Sequence, residues 1–175
     1  MIERLGAVLT HVPGRGRQTL HALLRPFDHT GTTDGVGFDT TKTVQPTTRS
    51  HVSHVVADSD WEGVVADVLE SLDEVEAYVK NDRLGFSIPY TIDGQQRAYL
   101  PDFLVRARVA EGAAPLTVIV EVSGERRRDK AEKVRTARER WVPAVEQHGG
   151  YGRWRFIEVT DPWDCKDLIR GALAG

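Results

Sequence analysis

The sequence predicts an α/β fold, a sheet covered by helices, and three patterns carry that expectation. Trp61, Val64, Val65, Val68, Leu69, Leu72 and Val75 recur at the spacing of one helix face. Leu84, Phe86, Ile88, Tyr90 and Ile92 alternate with other residues, the period of a strand. Leu116 to Val122, LTVIVEV, is an apolar run of the kind expected of a central strand buried on both faces.

Taken in order, residues 1–50 read as an N-terminal arm or linker and residues 51–175 as the domain. Residues 28–50 are dense in Thr, Gly and Asp, which favour turns and extended chain. Leu20 to Leu24 is a short apolar stretch that suits a docking segment. His51 to Val56 predicts a short strand. His51 and His54 would face opposite sides of it, so they do not form a zinc pair. Ser59 followed by Glu62 fits a capping box and starts a helix over residues 60–78. The alternating run over 84–92 contains Pro89, which marks an edge or a bulge. Asp93-Gly94 then signals a hairpin, with a return strand over 97–109. After the 116–122 strand, a second helix spans 128–147, with Val134, Ala137, Trp141 and Val145 as its stripe and Gly149-Gly150 as its stop. A strand over 154–159 and a final helix over 162–174 complete the order α-β-β-β-α-β-α.

Composition narrows the class. Hydrophobic residues make up 40 % and charged residues 28 % of the chain, ordinary values for a globular protein. No apolar run reaches the roughly 18 residues a membrane span needs. The first residues lack the apolar core of a secretion signal, so a cytoplasmic location is expected. Cys165 is the only cysteine, which excludes an internal disulfide and a cysteine-based zinc site. The net charge of −3 does not announce nucleic-acid binding, but charge is unevenly distributed. Residues 57–82 hold nine acids and one lysine, whereas residues 126–140 hold eight Lys/Arg and three acids.

Two carboxylates stand where they are costly. Asp102 lies within Leu100-Pro101-Asp102-Phe103-Leu104, and Glu121 near the end of the apolar 116–122 strand. A carboxylate in such surroundings needs an ionic partner. Each could pair with an arginine or face the surface. On neighbouring strands they could instead hold a hard cation such as Mg²⁺, which binds through one or two carboxylates and keeps several waters.

Asp102 in a Pro-Asp-Phe tripeptide, followed about twenty residues later by Glu121-Val122-Ser123-Gly124, resembles the PD-(D/E)xK nuclease signature. The runs Tyr78 to Phe86, Ile88-Pro89-Tyr90, Tyr99 to Phe103 and Trp141 to Val145 resemble one group within it, the C-terminal nuclease region of type III restriction endonuclease subunits. Phe38 to Lys42 and His51 to Val56 resemble the segment joining helicase to nuclease there. The resemblance covers roughly residues 24–170. It implies a restriction-endonuclease-like three-layer core, a mixed central sheet flanked by helices. It also implies a Mg²⁺-dependent endodeoxyribonuclease, with Mn²⁺ able to substitute, acting in restriction or antiviral defence beside a helicase-like translocase. Asp102 and Glu121, with the carbonyl of Val122, would hold the metal. Two-strand cleavage would call for a transient homodimer.

The pattern departs from the family at Ser123, where a lysine is expected. Either the domain only binds DNA or serves in assembly, or another cation reaches the same space. At about 100° per residue, Lys130 lies within about 40° of Val134, on the packing face of the second helix. It is therefore the sequence candidate, against the alternative of a packed stem with its head in water. Lys133 lies on a flank. Glu62 borders the buried face of the first helix, whereas Glu70 points to solvent. The resemblance implies a helix glutamate near the metal, and Glu62 is that candidate, although its capping role alone would explain it. Arg126, Arg127, Arg128, Lys133 and Arg135 are expected to meet DNA phosphates. A solvated helix with pairs such as Arg135–Glu139 is the alternative reading.

Overall fold

The structure, a computed structural model, describes residues 2–3, 30–108, 113, 116–124 and 129–174. In chain order the elements are β1 (Ile2–Glu3), β2 (Thr30–Gly31), β3 (Val44–Pro46), β4 (His54–Val56), α1 (Asp60–Ser71), β5 (Val75–Lys80), β6 (Ile88–Ile92), β7 (Gln95–Tyr99), β8 (Phe103–Ala107), β9 (Leu116–Val122), α2 (Lys130–Thr136), α3 (Val142–His148), β10 (Arg153–Val159) and α4 (Cys165–Ala174). The central sheet runs β10-β9-β8-β5. Its β5–β8 and β8–β9 pairs are antiparallel and its β9–β10 pair parallel, so the sheet is mixed. The strand period of two sends Val118 and Val120 to one face and Ile119 to the other. On the first face they meet Val65 and Leu69 of α1 and Ile169 of α4. On the second, Ile119 meets Trp141, Val142 and Val145, together with Ile88 and Tyr99 of a separate β6–β7 hairpin. The protein is thus a mixed α/β structure with helices on both faces of its sheet.

The helix expected over 60–78 is two elements. Ser59 caps α1 as its sequence signal indicates, accepting a hydrogen bond from the Glu62 amide at 3.3 Å. The helix ends at Ser71, Leu72 turns to extended backbone, and Val75–Lys80 pairs with β8 as an edge strand. Val75 satisfies helical spacing and strand alternation equally well. Pairing with β8 decides between them, an instance of tertiary context overriding local pattern. The strand expected from Leu84 begins at Ile88. Arg83 and Gly85 both take positive φ (57° and 71°), which turns the chain there and leaves Leu84 and Phe86 buried outside any strand. Positive φ at Asp93 and Gly94 builds the tight hairpin turn anticipated there. The return strand expected over 97–109 is likewise divided, into β7 and β8. Pro101, which has no N–H to give a ladder, lies at the break.

The second helix contains a wide π-helical turn, Ala137–Trp141, between α2 and α3. Pro143 cannot donate to the carbonyl four residues back, and a widened turn before it absorbs that misfit. Gly149, at φ 75°, stops the helix as expected. The turn also fixes Trp141, 1 % exposed, edge-on to Phe86 and Trp154 at centroid distances of 5.6 and 5.1 Å. Trp141→Ala removes the centre of this ring cluster. It is expected to destabilise the protein by about 3–5 kcal/mol in urea unfolding, the usual cost of a large aromatic-to-Ala cavity.

Residues 44–50 are more closely tied to the domain than an arm ending at residue 50 implies. β3 pairs with β4, Ser50 bridges Tyr78, and the Thr48 and Arg49 amides donate to Glu70 at 3.1 and 3.2 Å. Glu70 therefore anchors this segment instead of merely facing solvent. Leu20 to Leu24 lie outside the described residues. Among the described residues, no helix is long and apolar enough to cross a membrane.

Candidate active site

Asp102 follows Pro101 just before β8, and Glu121 lies near the end of β9. The pairing of these strands brings both carboxylates to one end of the sheet. The Val122 amide donates to Asp102 Oδ2 at 2.7 Å. The Tyr99 hydroxyl, at the end of β7, donates to Glu121 Oε2 at 2.6 Å. The two carboxyl groups are close enough to act on each other's titration. Burial pushes the Asp102 carboxyl up to about 6, opposed by the Val122 amide, while nearby Glu62 raises it and Lys80 lowers it. Burial and the charge of Asp102 push Glu121 up to about 8. The pair as a whole therefore holds a proton more tightly than two isolated carboxyls would. Burial and the charge of Glu121 also keep the Tyr99 phenol protonated, so it remains a donor.

Glu62 is buried, as its position on α1 implies, and lies 3.2 Å from the ammonium of Lys80. Its carboxylate also accepts from the Asp58 amide at 2.8 Å. Lys80 is 7 % exposed and hydrogen-bonds Asp58 Oδ2 at 2.7 Å. Burial alone would push this ammonium down, but the bond to Asp58 and the charge of Glu62 outweigh it and hold its pKa above the usual lysine value.

Sequence reasoning missed Lys80 as a site residue. Its local signal is faint: a lysine ending a run in which Val75, Ala77 and Val79 alternate. Its ionic partners, Glu62 and Asp58, are 18 and 22 residues away in the chain.

Lys130 forms an ion pair with Glu158, its ammonium 2.9 Å from Oε1. Glu158 is the residue on β10 paired with Glu121, so Lys130 is joined to the cluster through this neighbouring acid. Lys133, expected on a flank and toward DNA, is bound to Asp129 at 3.1 Å and sits 5.9 Å from the Tyr99 ring centroid. Its charge also acts on Glu121. Arg135 pairs with Glu132 at 2.6 Å, not with Glu139. These three cations are therefore already neutralised in part by acids of the same chain. Arg126, Arg127 and Arg128 lie outside the described residues. Ser123, the position vacated by the family's lysine, is 8 % exposed, and its hydroxyl has no hydrogen-bond partner among the described residues.

The donor set fits a hard divalent cation. Desolvation and mutual repulsion lead these two half-buried carboxylates to retain a proton, and an ion between them would relieve that repulsion. Among the described residues, no group of three or more His, Cys, Asp or Glu has the geometry of a metal cage. Mg²⁺ needs only one or two carboxylates, with waters completing its shell. No protein-family profile matches the chain, and neither a curated protein nor a solved structure is significantly similar to it.

Proposed function

We propose that this chain is a metal-dependent DNA endonuclease domain of the PD-(D/E)xK class, acting in restriction or antiviral defence beside a helicase-like partner. The observation that carries the reading is the half-buried Asp102–Glu121 pair, oriented by the Val122 amide and the Tyr99 hydroxyl. The mixed sheet between helical layers supports it as well, being the arrangement that the sequence resemblance implies.

Asp102 and Glu121 would hold Mg²⁺, with Val122 as neighbouring backbone. Such an ion supplies Lewis-acid stabilisation of a phosphodiester and of its leaving oxygen. Hydrolysis joins the oxygen of water to phosphorus and breaks the bond to the leaving alcohol, which takes a proton. Lys80 is the favoured cation for the charge that develops on the phosphoryl group, because it already acts electrostatically on Asp102 and contacts Glu62. Lys130, held by Glu158, and Lys133, above Tyr99, are the competitors. Ser123 favours a second reading, a nuclease fold that binds DNA or serves in assembly without cutting it.

The test is cleavage of supercoiled plasmid in Mg²⁺ or Mn²⁺, with the three lysines replaced in turn. Lys80→Met is expected to slow cleavage about 10²-fold or more, the usual loss when one charge-stabilising donor is removed. Lys130→Ala and Lys133→Ala should cost less than about tenfold, as for contacts that act through another residue. Circular dichroism checks that Lys80→Met still folds, because Glu62 loses its buried counter-charge. A wild-type protein that cuts with neither metal sinks the enzyme reading. Full activity in Lys80→Met removes only its assignment.

A further inference from the structure

A cavity of about 410 Å³ opens beside Lys80, lined by the 33–44 segment, the β3–β4 pair and the end of β5. Single-ligand pockets span roughly 300–1,000 Å³, so this one suits a small occupant. Its apolar wall includes Val36, Phe38, Val44 and Val52. Val44 is 44 % exposed, so part of that wall faces water. Phe38 lines the cavity and carries the Arg83 guanidinium 4.1 Å from its ring centroid, and aromatic rings of this kind are the platforms on which bases stack. Ser53, His54 and Asp82 supply hydrogen-bonding groups around the same space.

The charge balance argues against a phosphate in the cavity itself. The lysine that lines it is already compensated by Asp58 and Glu62. A flat, neutral ring with polar edges is the better match. The Asp82 carboxylate is an acceptor, and acceptors of this kind select bases that present an exocyclic amine. Lys80 also links the cavity to the candidate site, since the same ammonium contacts Glu62 and acts on Asp102.

We propose that this cavity is a base pocket, which receives one unstacked, amine-bearing nucleobase of the strand that passes the Asp102–Glu121 pair. The inference rests on the nuclease reading and gives that site a base preference. Unstacking costs least where the strand is already single, so single-stranded or frayed DNA is the favoured form.

The experiment measures binding, so cleavage does not enter it. The full chain carrying Asp102→Asn is titrated by fluorescence anisotropy, without divalent metal, against short oligodeoxycytidine, oligodeoxyadenosine and oligothymidine. Cytidine and adenosine strands are expected to bind at least about fivefold tighter than thymidine, the value of one good base contact. Two independent replacements fill the cavity. A side chain at Gly37 would meet nothing within 4 Å, and Ser53 is exposed, so Gly37→Phe and Ser53→Trp should leave the fold intact. Each should weaken cytidine binding at least about fivefold and erase the base difference, while Asp82→Asn erases the difference alone. Equal affinity for all three strands, or unchanged binding in both filled variants, overturns the proposal. Displacement of the strand by free CMP at equal nucleotide concentration also overturns it, in favour of a mononucleotide site. If the filled variants lose the preference while the wild type cuts no plasmid, the pocket stands and the nuclease reading falls.

Discussion

Asp102→Asn is expected to reduce Mg²⁺-dependent plasmid cleavage by about 10³-fold or more, the rate equivalent of losing about 4 kcal/mol of transition-state stabilisation. The replacement is nearly isosteric. An Asn oxygen can still accept the Val122 amide hydrogen bond that fixes the native carboxylate at 2.7 Å. What disappears is the charge, and with it one of the two anionic ligands for the cation. Glu121→Gln should act in the same way, because a Gln oxygen can still accept from Tyr99. Neither change should unfold the protein. Each removes one member of a repelling, half-buried pair, so the melting temperature without metal should hold or rise. That combination separates a ligand from a structural carboxylate, whose loss would lower activity and stability together. Single-turnover cleavage and thermal unfolding of the same preparations supply both readouts. Cleavage within about tenfold of wild type would remove Asp102 from the metal site, since loss of a direct ligand costs more than that.

Much of the scaffold behind this site was legible in the sequence because it rests on local patterns. Ser59 announced the start of α1, the LTVIVEV run announced β9, and Gly149 announced the end of α3. Helical angle alone puts Glu62 at the border of the buried face, and it is buried. The failures have a common cause, which is that long-range pairing decides between local options of similar cost. Leu72 and Val75 extend the helical stripe of α1, and only the ladder with β8 converts the second of them into strand. Lys80 reads as an ordinary strand-end lysine until Glu62 of α1 and Asp58, just before that helix, meet it. Lys130 was placed on the packing side of its helix, but helical angle could not reveal that Glu158 on β10 would hold it. The turn-rich segment before residue 44 shows no period, so its contribution to a cavity wall beside Lys80 is visible only in three dimensions.

Without divalent metal, the protein should grow less stable as pH rises from about 5 to above 8, the span set by the raised carboxyls. The folded state holds Asp102 up to about 6 and Glu121 up to about 8, both above their usual values of 3.8 and 4.5. Between those limits the folded chain retains protons that the unfolded chain has lost, so raising the pH favours unfolding. Carboxyls held below their usual range, such as Asp58 beside Lys42 and Lys80, act the other way but only in acid, and so leave this window clear. Each kcal/mol is worth about 2–4 °C for a domain of this size, so thermal scans at pH 6 and pH 8.5 should differ by a few degrees. Mg²⁺ competes with the protons for the same oxygens, so its stabilisation should be larger at pH 8.5 than at pH 6. Glu121→Gln should flatten the pH dependence and shrink the metal shift together. A metal shift of equal size at both pH values, or one that survives in Glu121→Gln, would mean that the cation binds elsewhere. The sign of the slope carries the argument: a pair built only to be neutralised by nearby lysines would gain stability with rising pH, whereas a pair that awaits a divalent ion loses it.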